Sequence, residues 1–280
     1  MRNNMMGIKK FFGGMRFFVW FAWSILNAPL FIISSMLPPN SRVGILRFYM
    51  KNSYRVFGFR ARRIGDVAKD RPLMIVCNHI GWLELFALPS VAKVSFFGKA
   101  EIKSWPVLGW IVGALGVVYV DRRPQHVKES LAAVNCAMKC AAHPIALFPE
   151  GTTSNGAYIK KFKSSLFNFL EPQLAGQGGN VAIQPVVQIY RYPDGRLIPD
   201  KDLADNYAYF NNDSVEYGPQ AEVQRNGVAI AINIMARGGI LVEYHFLPVV
   251  DLSGVHDRKA LAEKLQKIIA DKYKELRAGA

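Results

Sequence analysis

No acidic side chain occurs before Asp66, yet 11 Lys or Arg residues precede it. The other 24 basic residues face all 21 acids, so the net charge of +14 belongs mainly to the N-terminal quarter. Within that quarter, residues 17–41 (FFVWFAWSILNAPLFIISSMLPPNS) carry no charge and are rich in Phe and Trp. A helix needs roughly 20 apolar residues to cross a bilayer, and the tract has about that length. Asn27 and Pro29 interrupt it, however, and basic residues flank both sides, so the asymmetry that fixes a spanning orientation is missing. Both facts fit a re-entrant or interfacial helical hairpin, broken at Asn27-Ala28-Pro29, with both ends on the cytoplasmic face. Each basic residue beside an anionic leaflet adds about 1 kcal/mol, which predicts firm attachment to an anionic membrane surface.

Other readings of this quarter compete. A single transmembrane anchor stays open. A secretory signal peptide shares the basic start and apolar core, but no clean small-x-small cleavage site follows and basic sequence continues. A nucleic-acid-binding arm would account for the charge but not for the Trp/Phe tract beside it. No recognition-helix, zinc or RNA-stacking motif accompanies it, so nucleic acid is not an expected partner.

At 280 residues and 51% hydrophobic, the chain has ample material for a core, and its mean hydropathy of +0.10 suits a globular protein in contact with a membrane. Three cysteines in this length make no disulfide framework, which favours a reducing, intracellular compartment. After residue 66, short apolar runs alternate with helical periodicity. Strands are expected at Leu73–Cys77, Val94–Phe97, Gly116–Val120, Ile145–Phe148, Val181–Tyr190 and Ile240–Leu247, with Pro185 marking an edge or bulge in the fifth. Helices are expected at Trp82–Val91 up to Pro89, at Gln125–Ala142 and at Asp257–Leu276. The parse is a membrane-binding helical segment over 1–65 followed by one α/β domain over 66–280, whose mixed, mostly parallel sheet is flanked by helices.

Two segments that follow expected strands carry chemistry. In CNHIGWLE, His79 stands five residues before Glu84, an offset of about 140° on one straight helix. The two side chains meet only if His79 lies in a strand-to-helix turn and Glu84 in the following helix. A carboxylate on one imidazole nitrogen fixes the tautomer and leaves the other nitrogen to take a proton from a hydroxyl. In FPEGTTSNG, Gly151 and Gly156 enclose three hydroxyl side chains, and such a turn can hold a phosphate or an oxyanion. Taken singly, each segment also reads as an ordinary turn.

Taken together, a His-x4-acid and an FPEGT some seventy residues later resemble the signature of the glycerolipid and lysophospholipid acyltransferase family. Gly98–Ile102, Trp105–Gly109 and Gly116–Arg123 resemble its second block, and Val181–Val186 its fourth. The resemblance implies O-acyl transfer from acyl-CoA or acyl carrier protein to a lysolipid hydroxyl, of 1-acylglycerol-3-phosphate type or a relative, with no metal or organic cofactor. It implies His79 as general base and Glu84 as its orienting partner. Glu150, Gly151, Thr152 and Thr153 would bind the acceptor, with Arg122, Arg123 and Lys99 near the head group or the donor. Attack by the deprotonated oxygen needs no acyl-enzyme, so Cys77 reads as a buried strand residue, and Cys136 and Cys140 as lining the inner face of a helix.

Two departures from the family pattern stand out. Glu84 replaces the usual Asp, and Thr153 follows FPEGT where lysophosphatidic-acid acyltransferases commonly carry Arg. Loss of that guanidinium fork removes a bidentate phosphate contact, and the continuation resembles relatives that act on lyso-ornithine lipid or zwitterionic lysophospholipids. An inactive membrane-binding scaffold on the same fold is the alternative of another class. Metalloprotease, α/β-hydrolase and P-loop readings find no motif.

Overall fold

The computed structural model describes residues 2–81, 83–99, 117–120, 127–208 and 227–279. The described chain opens with helices α1 (Arg2–Leu26), α2 (Ala28–Met36) and α3 (Pro39–Val56). Strands β1 (Arg60–Ile64) and β2 (Leu73–Cys77), helix α4 (Glu84–Val91), and strands β3 (Ser95–Lys99) and β4 (Val118–Val120) follow. Next come α5 (Val127–Cys140), β5 (Ile145–Leu147), a 3-10 helix (Ser164–Leu170), α6 (Glu171–Leu174) and β6 (Ala182–Arg191). The described elements end with α7 (Asp200–Asn206), α8 (Gly227–Ala236), β7 (Leu241–Phe246) and α9 (Arg258–Ala278).

The strands form one sheet in the order β1-β7-β6-β2-β5-β3-β4. Every neighbouring pair is parallel except β6 with β7, so the sheet is mixed and mostly parallel as the sequence implies. All five residues of β2 are buried, because an inner strand covered by helices on both faces has no solvent side on which to alternate. Since β2 and β5 are parallel neighbours, the loops that leave their carboxyl ends emerge side by side. Those loops are the His79 and FPEGT segments.

Three expectations are corrected. β6 is an inner strand between β2 and β7, although it contains Pro185. The Pro185 carbonyl accepts from Leu247 N just beyond β7, where the β6–β7 register starts only at Val186. The missing N–H therefore faces the Leu247 carbonyl at the end of that ladder, and the Gln184 side chain donates to that carbonyl in its place at 2.9 Å. Pro89 does not end its helix either, for α4 starts at Glu84 and continues through Pro89 to Val91. Finally, Cys136 and Cys140 are exposed, while Cys77 is buried as expected. α5 turns Val134 and Met138 inward, and each cysteine lies two residues, about 200° around the axis, from one of them.

The N-terminal helices share the core of the α/β layer. Phe31, Tyr49, Met50, Tyr54 and Phe57 cluster with Cys77, Ile80, Leu83 and Phe86. The Trp20 and Phe57 rings lie 5.1 Å apart, and Ser24 Oγ is 2.7 Å from the Tyr49 hydroxyl. Arg16 donates to the Met235 carbonyl at 3.3 Å, near the end of α8. The outer surface of α1 and α2 is apolar and open, with Phe18 69%, Leu26 73% and Met36 79% exposed.

The break between α1 and α2 falls at Asn27, but the chain bends there by 45° and does not reverse as a hairpin would. Helical bonds persist across it, from Asn27 N to the Trp23 carbonyl at 3.0 Å and from Phe31 N to the Asn27 carbonyl at 3.3 Å. Among the described residues no single helix is long and apolar enough to cross a membrane, whereas the bent α1–α2 pair passes by length and composition.

Candidate active site

The turn after β2 places His79 beside the first residue of α4. His79 Nδ1 lies 2.8 Å from Glu84 Oε2, the meeting that the five-residue spacing required. Glu84 is wholly buried, and its other oxygen, Oε1, accepts from Ile80 N at 2.8 Å and Gly81 N at 2.7 Å. Oε1 also receives Gln188 Nε2 at 2.6 Å and the Tyr190 hydroxyl at 3.3 Å. A carboxylate at a helix N-terminus is further favoured by the unpaired N–H groups there. These donors seat the longer Glu side chain where the family pattern carries Asp. With Nδ1 engaged, Nε2 is the ring nitrogen not occupied by Glu84, and the His79 side chain is 20% exposed.

The FPEGT loop closes over the other side of the histidine. Phe148 stacks on the His79 ring with centroids 4.5 Å apart and planes 22° from parallel. Glu150 Oε1 accepts from His79 N at 2.7 Å, and its Oε2 from Lys160 N at 3.0 Å. Ser154 N donates back to the His79 carbonyl at 2.8 Å. Glu150 is 1% exposed, so both of its oxygens are spent inside the protein. Burial pushes its carboxyl up to about 8, against the lowering effect of the two backbone N–H donors and the Lys160 ammonium.

Gly151 has φ +70°, and a Cβ there would lie 3.0 Å from Cδ of Lys163, whose side chain crosses the loop. Lys160 Nζ donates to the Thr153 carbonyl at 2.9 Å. Thr152 is exposed and Thr153 half-buried. Tyr273 of α9 donates to the Gly156 carbonyl, which ties the far end of the loop to the C-terminal helix. Arg122 and Arg123, and the side chain of Lys99, lie outside the described residues, as do Gly109 and Gly116. Among the described residues no group of three or more His, Cys, Asp and Glu is placed to hold a metal ion.

Several participants carried no motif signal. Asn78 extends the β2–β6 pairing with its side chain, donating to the Gln188 carbonyl at 3.1 Å and accepting from Gln188 N at 2.8 Å. Gln188 and Tyr190 stand two residues apart on β6, and Lys160 and Lys163 follow the FPEGT loop. The available signal was two glutamines, Gln184 and Gln188, inside a mostly apolar strand, since a buried amide demands partners.

The arrangement is that of a histidine whose Nδ1 is held by a buried carboxylate, beside a glycine-hydroxyl loop. The family model described as Acyltransferase matches residues 59–188, which contain both segments. A lyso-ornithine lipid O-acyltransferase of Brucella abortus is 31% identical over 222 residues, covering 78% of each chain. The chain belongs to the lysolipid acyltransferase family. Another lyso-ornithine lipid O-acyltransferase, from Rhodobacter capsulatus, is 29% identical over 199 residues, or 69% of this chain and 64% of that one. A 1-acyl-sn-glycerol-3-phosphate acyltransferase of Neisseria meningitidis is 35% identical over 106 residues, or 37% of this chain and 42% of the other. The crystal structure of the 1-acyl-sn-glycerophosphate acyltransferase PlsC from Thermotoga maritima has the same fold, with TM-score 0.64 at 16% identity over 99% of this chain and 98% of that one.

Proposed function

We propose that this acyltransferase moves a fatty acyl group from an acyl thioester, acyl-CoA or acyl carrier protein, to the free hydroxyl of a lysolipid at the cytoplasmic face of an anionic membrane. The observation that carries the reading is the His79–Glu84 pair, with Nδ1 fixed by a fully buried carboxylate. His79 Nε2 takes the hydroxyl proton as the oxygen attacks the thioester carbonyl. The C–O bond forms, the C–S bond of the collapsing adduct breaks, and the thiolate recovers the proton from His79. Cys77 is buried and burial pushes its thiol well up, which supports direct transfer without an acyl-cysteine.

For the acceptor we place lyso-ornithine lipid ahead of 1-acylglycerol-3-phosphate. An ornithine head group carries a carboxylate and an ammonium but no phosphate, and Thr153 offers no guanidinium fork to a phosphate. The similarity to the lyso-ornithine lipid O-acyltransferases of Brucella and Rhodobacter points the same way. The test is turnover by the purified, detergent-solubilised enzyme with one acyl thioester and four acceptors: lyso-ornithine lipid, 1-acylglycerol-3-phosphate, lysophosphatidylcholine and lysophosphatidylethanolamine. Losing one charge-assisted contact of about 1.5–3 kcal/mol predicts a kcat/KM at least about tenfold higher for lyso-ornithine lipid than for the phosphate acceptor. The reverse order overturns the acceptor assignment, and silence on all four points to an inactive scaffold.

The membrane contact falls to the open apolar side of α1 and α2. Phe18, Leu26 and Met36 project there, and burying such side chains stabilises by about 1.5–3 kcal/mol each. The triple variant Phe18→Asp, Leu26→Asp, Met36→Asp is expected to partition at least about tenfold less onto anionic vesicles, with an unchanged circular dichroism spectrum. Undiminished sedimentation with the vesicles would place the membrane surface elsewhere.

A further inference from the structure

We propose that Gln188 is a positioning residue for acyl transfer: it pins Oε1 of Glu84 from the sheet below, so that Oε2 is the oxygen presented to His79. The inference rests on the acyltransferase reading and deepens it. Of the four donors on Oε1, two are backbone N–H groups that any sequence would supply at this turn. The other two, Gln188 Nε2 and the Tyr190 hydroxyl, depend on side-chain identity and come from one face of β6, a strand paired on both sides. They reach the dyad from across the sheet, not from its own turn.

The amide orientation of Gln188 follows from its neighbours. Nε2 lies 2.7 Å from the Asn78 carbonyl and 2.6 Å from Glu84 Oε1, so both of its hydrogens meet acceptors. The flipped amide would set an oxygen against two oxygens. In this orientation Gln188 Oε1 is buried with no hydrogen-bond partner among the described residues. A residue chosen for packing alone would not leave a carbonyl in that state, since an apolar side chain of similar volume fills the space without it. What glutamine adds is two N–H donors, one directed at each of these oxygens.

The need arises from the glutamate itself. Glu has one more torsion than Asp, and its terminal torsion is broad and twofold, so an unanchored carboxylate samples orientations that turn Oε2 away from Nδ1. Donors on Oε1 from above and below remove that freedom. Three phenols surround the same carboxylate: burial, with a further push from the Glu84 charge, raises Tyr54, Tyr190 and Tyr244 well above their ordinary range. They stay neutral there, and Tyr190 serves as a donor.

The test is a double-mutant cycle on the full-length enzyme with the lysolipid that the wild type turns over best. Gln188→Leu is expected to lower kcat at least about tenfold, with KM for donor and acceptor changed less than about twofold. In a Glu84→Gln background, which is slow already, the same substitution should change kcat by less than about twofold, because the carboxylate through which Gln188 acts is gone. Tyr190→Phe, which deletes one hydroxyl, should repeat the pattern at about threefold and covers the case in which Gln188→Leu does not fold. An equal factor in both backgrounds, or a folded Gln188→Leu enzyme at full kcat, overturns the proposal. A wild type silent on every lysolipid would instead overturn the acyltransferase reading beneath it.

Discussion

His79→Ala is expected to reduce lysolipid turnover by at least about 10²-fold, the lower bound of what a positioned general base contributes. The effect should fall on kcat, because in the proposed mechanism the imidazole acts on the hydroxyl proton as the C–O bond forms and supplies little ground-state affinity. The scaffold around it survives the change. Glu84 Oε1 keeps its four donors, and the Glu150 cross-link uses the backbone N–H of residue 79, not its ring. The substitution does remove the ring stacked on Phe148 and leaves Glu84 Oε2 without its histidine partner, so some loss of thermal stability is expected. Single-turnover rates should therefore be compared with unfolding midpoints and vesicle sedimentation on the same preparations. A folded, membrane-bound His79→Ala enzyme with wild-type turnover would remove His79 as the base.

The dyad was legible because chemistry constrains its spacing, whereas its supports were not. A histidine and an acid five residues apart make sense only across a strand-to-helix turn, and the turn lies there, between β2 and α4. Gln188 and Tyr190 reach Glu84 from more than a hundred residues away, by the adjacency of β2 and β6, which no local pattern encodes. The alternation of the α/β layer was readable from apolar runs, yet Pro185 misled because the neighbouring Gln184 side chain supplies to the Leu247 carbonyl the donor that proline lacks. Cys136 and Cys140 misled in a related way. Their four-residue spacing places them on one side of α5, but Val134 and Met138 have the same spacing and hold the buried side. β1, with Arg60, Arg62 and Arg63 among its five residues, offers almost no hydrophobic signal and is an edge strand held by its pairing to β7. The bend at Asn27 was placed correctly but not its size, which the helical bonds crossing it decide.

Glu150 carries the second large prediction. The sequence resemblance places it among the acceptor-binding residues, but here its carboxyl joins the two loops of the site by accepting from His79 N and Lys160 N. Glu150→Ala leaves two N–H groups in the interior without acceptors, at about 1–3 kcal/mol each, and frees the His79 turn from the FPEGT loop. Displacement of a reacting group by about 1 Å can cost about 10²-fold, and a loss of that order in kcat is expected alongside a lowered unfolding midpoint. The pH dependence separates this brace from a residue that merely touches substrate. Burial raises the Glu150 carboxyl from its ordinary 4.5 to about 8, so the folded protein holds a proton that the unfolded chain releases. The stability contributed by that proton is fully present below about 4.5 and is lost as pH rises through about 8. Glu150→Gln keeps one acceptor oxygen but cannot titrate. It should be less stable than the wild type at pH 5, where the native side chain is neutral and accepts both N–H groups, and the deficit should shrink as pH approaches 8. Denaturant unfolding of both proteins across that range measures the difference directly. A deficit that stays constant or grows with pH would mean that Glu150 is ionised in the fold, and the brace would then be a charged one held by Lys160.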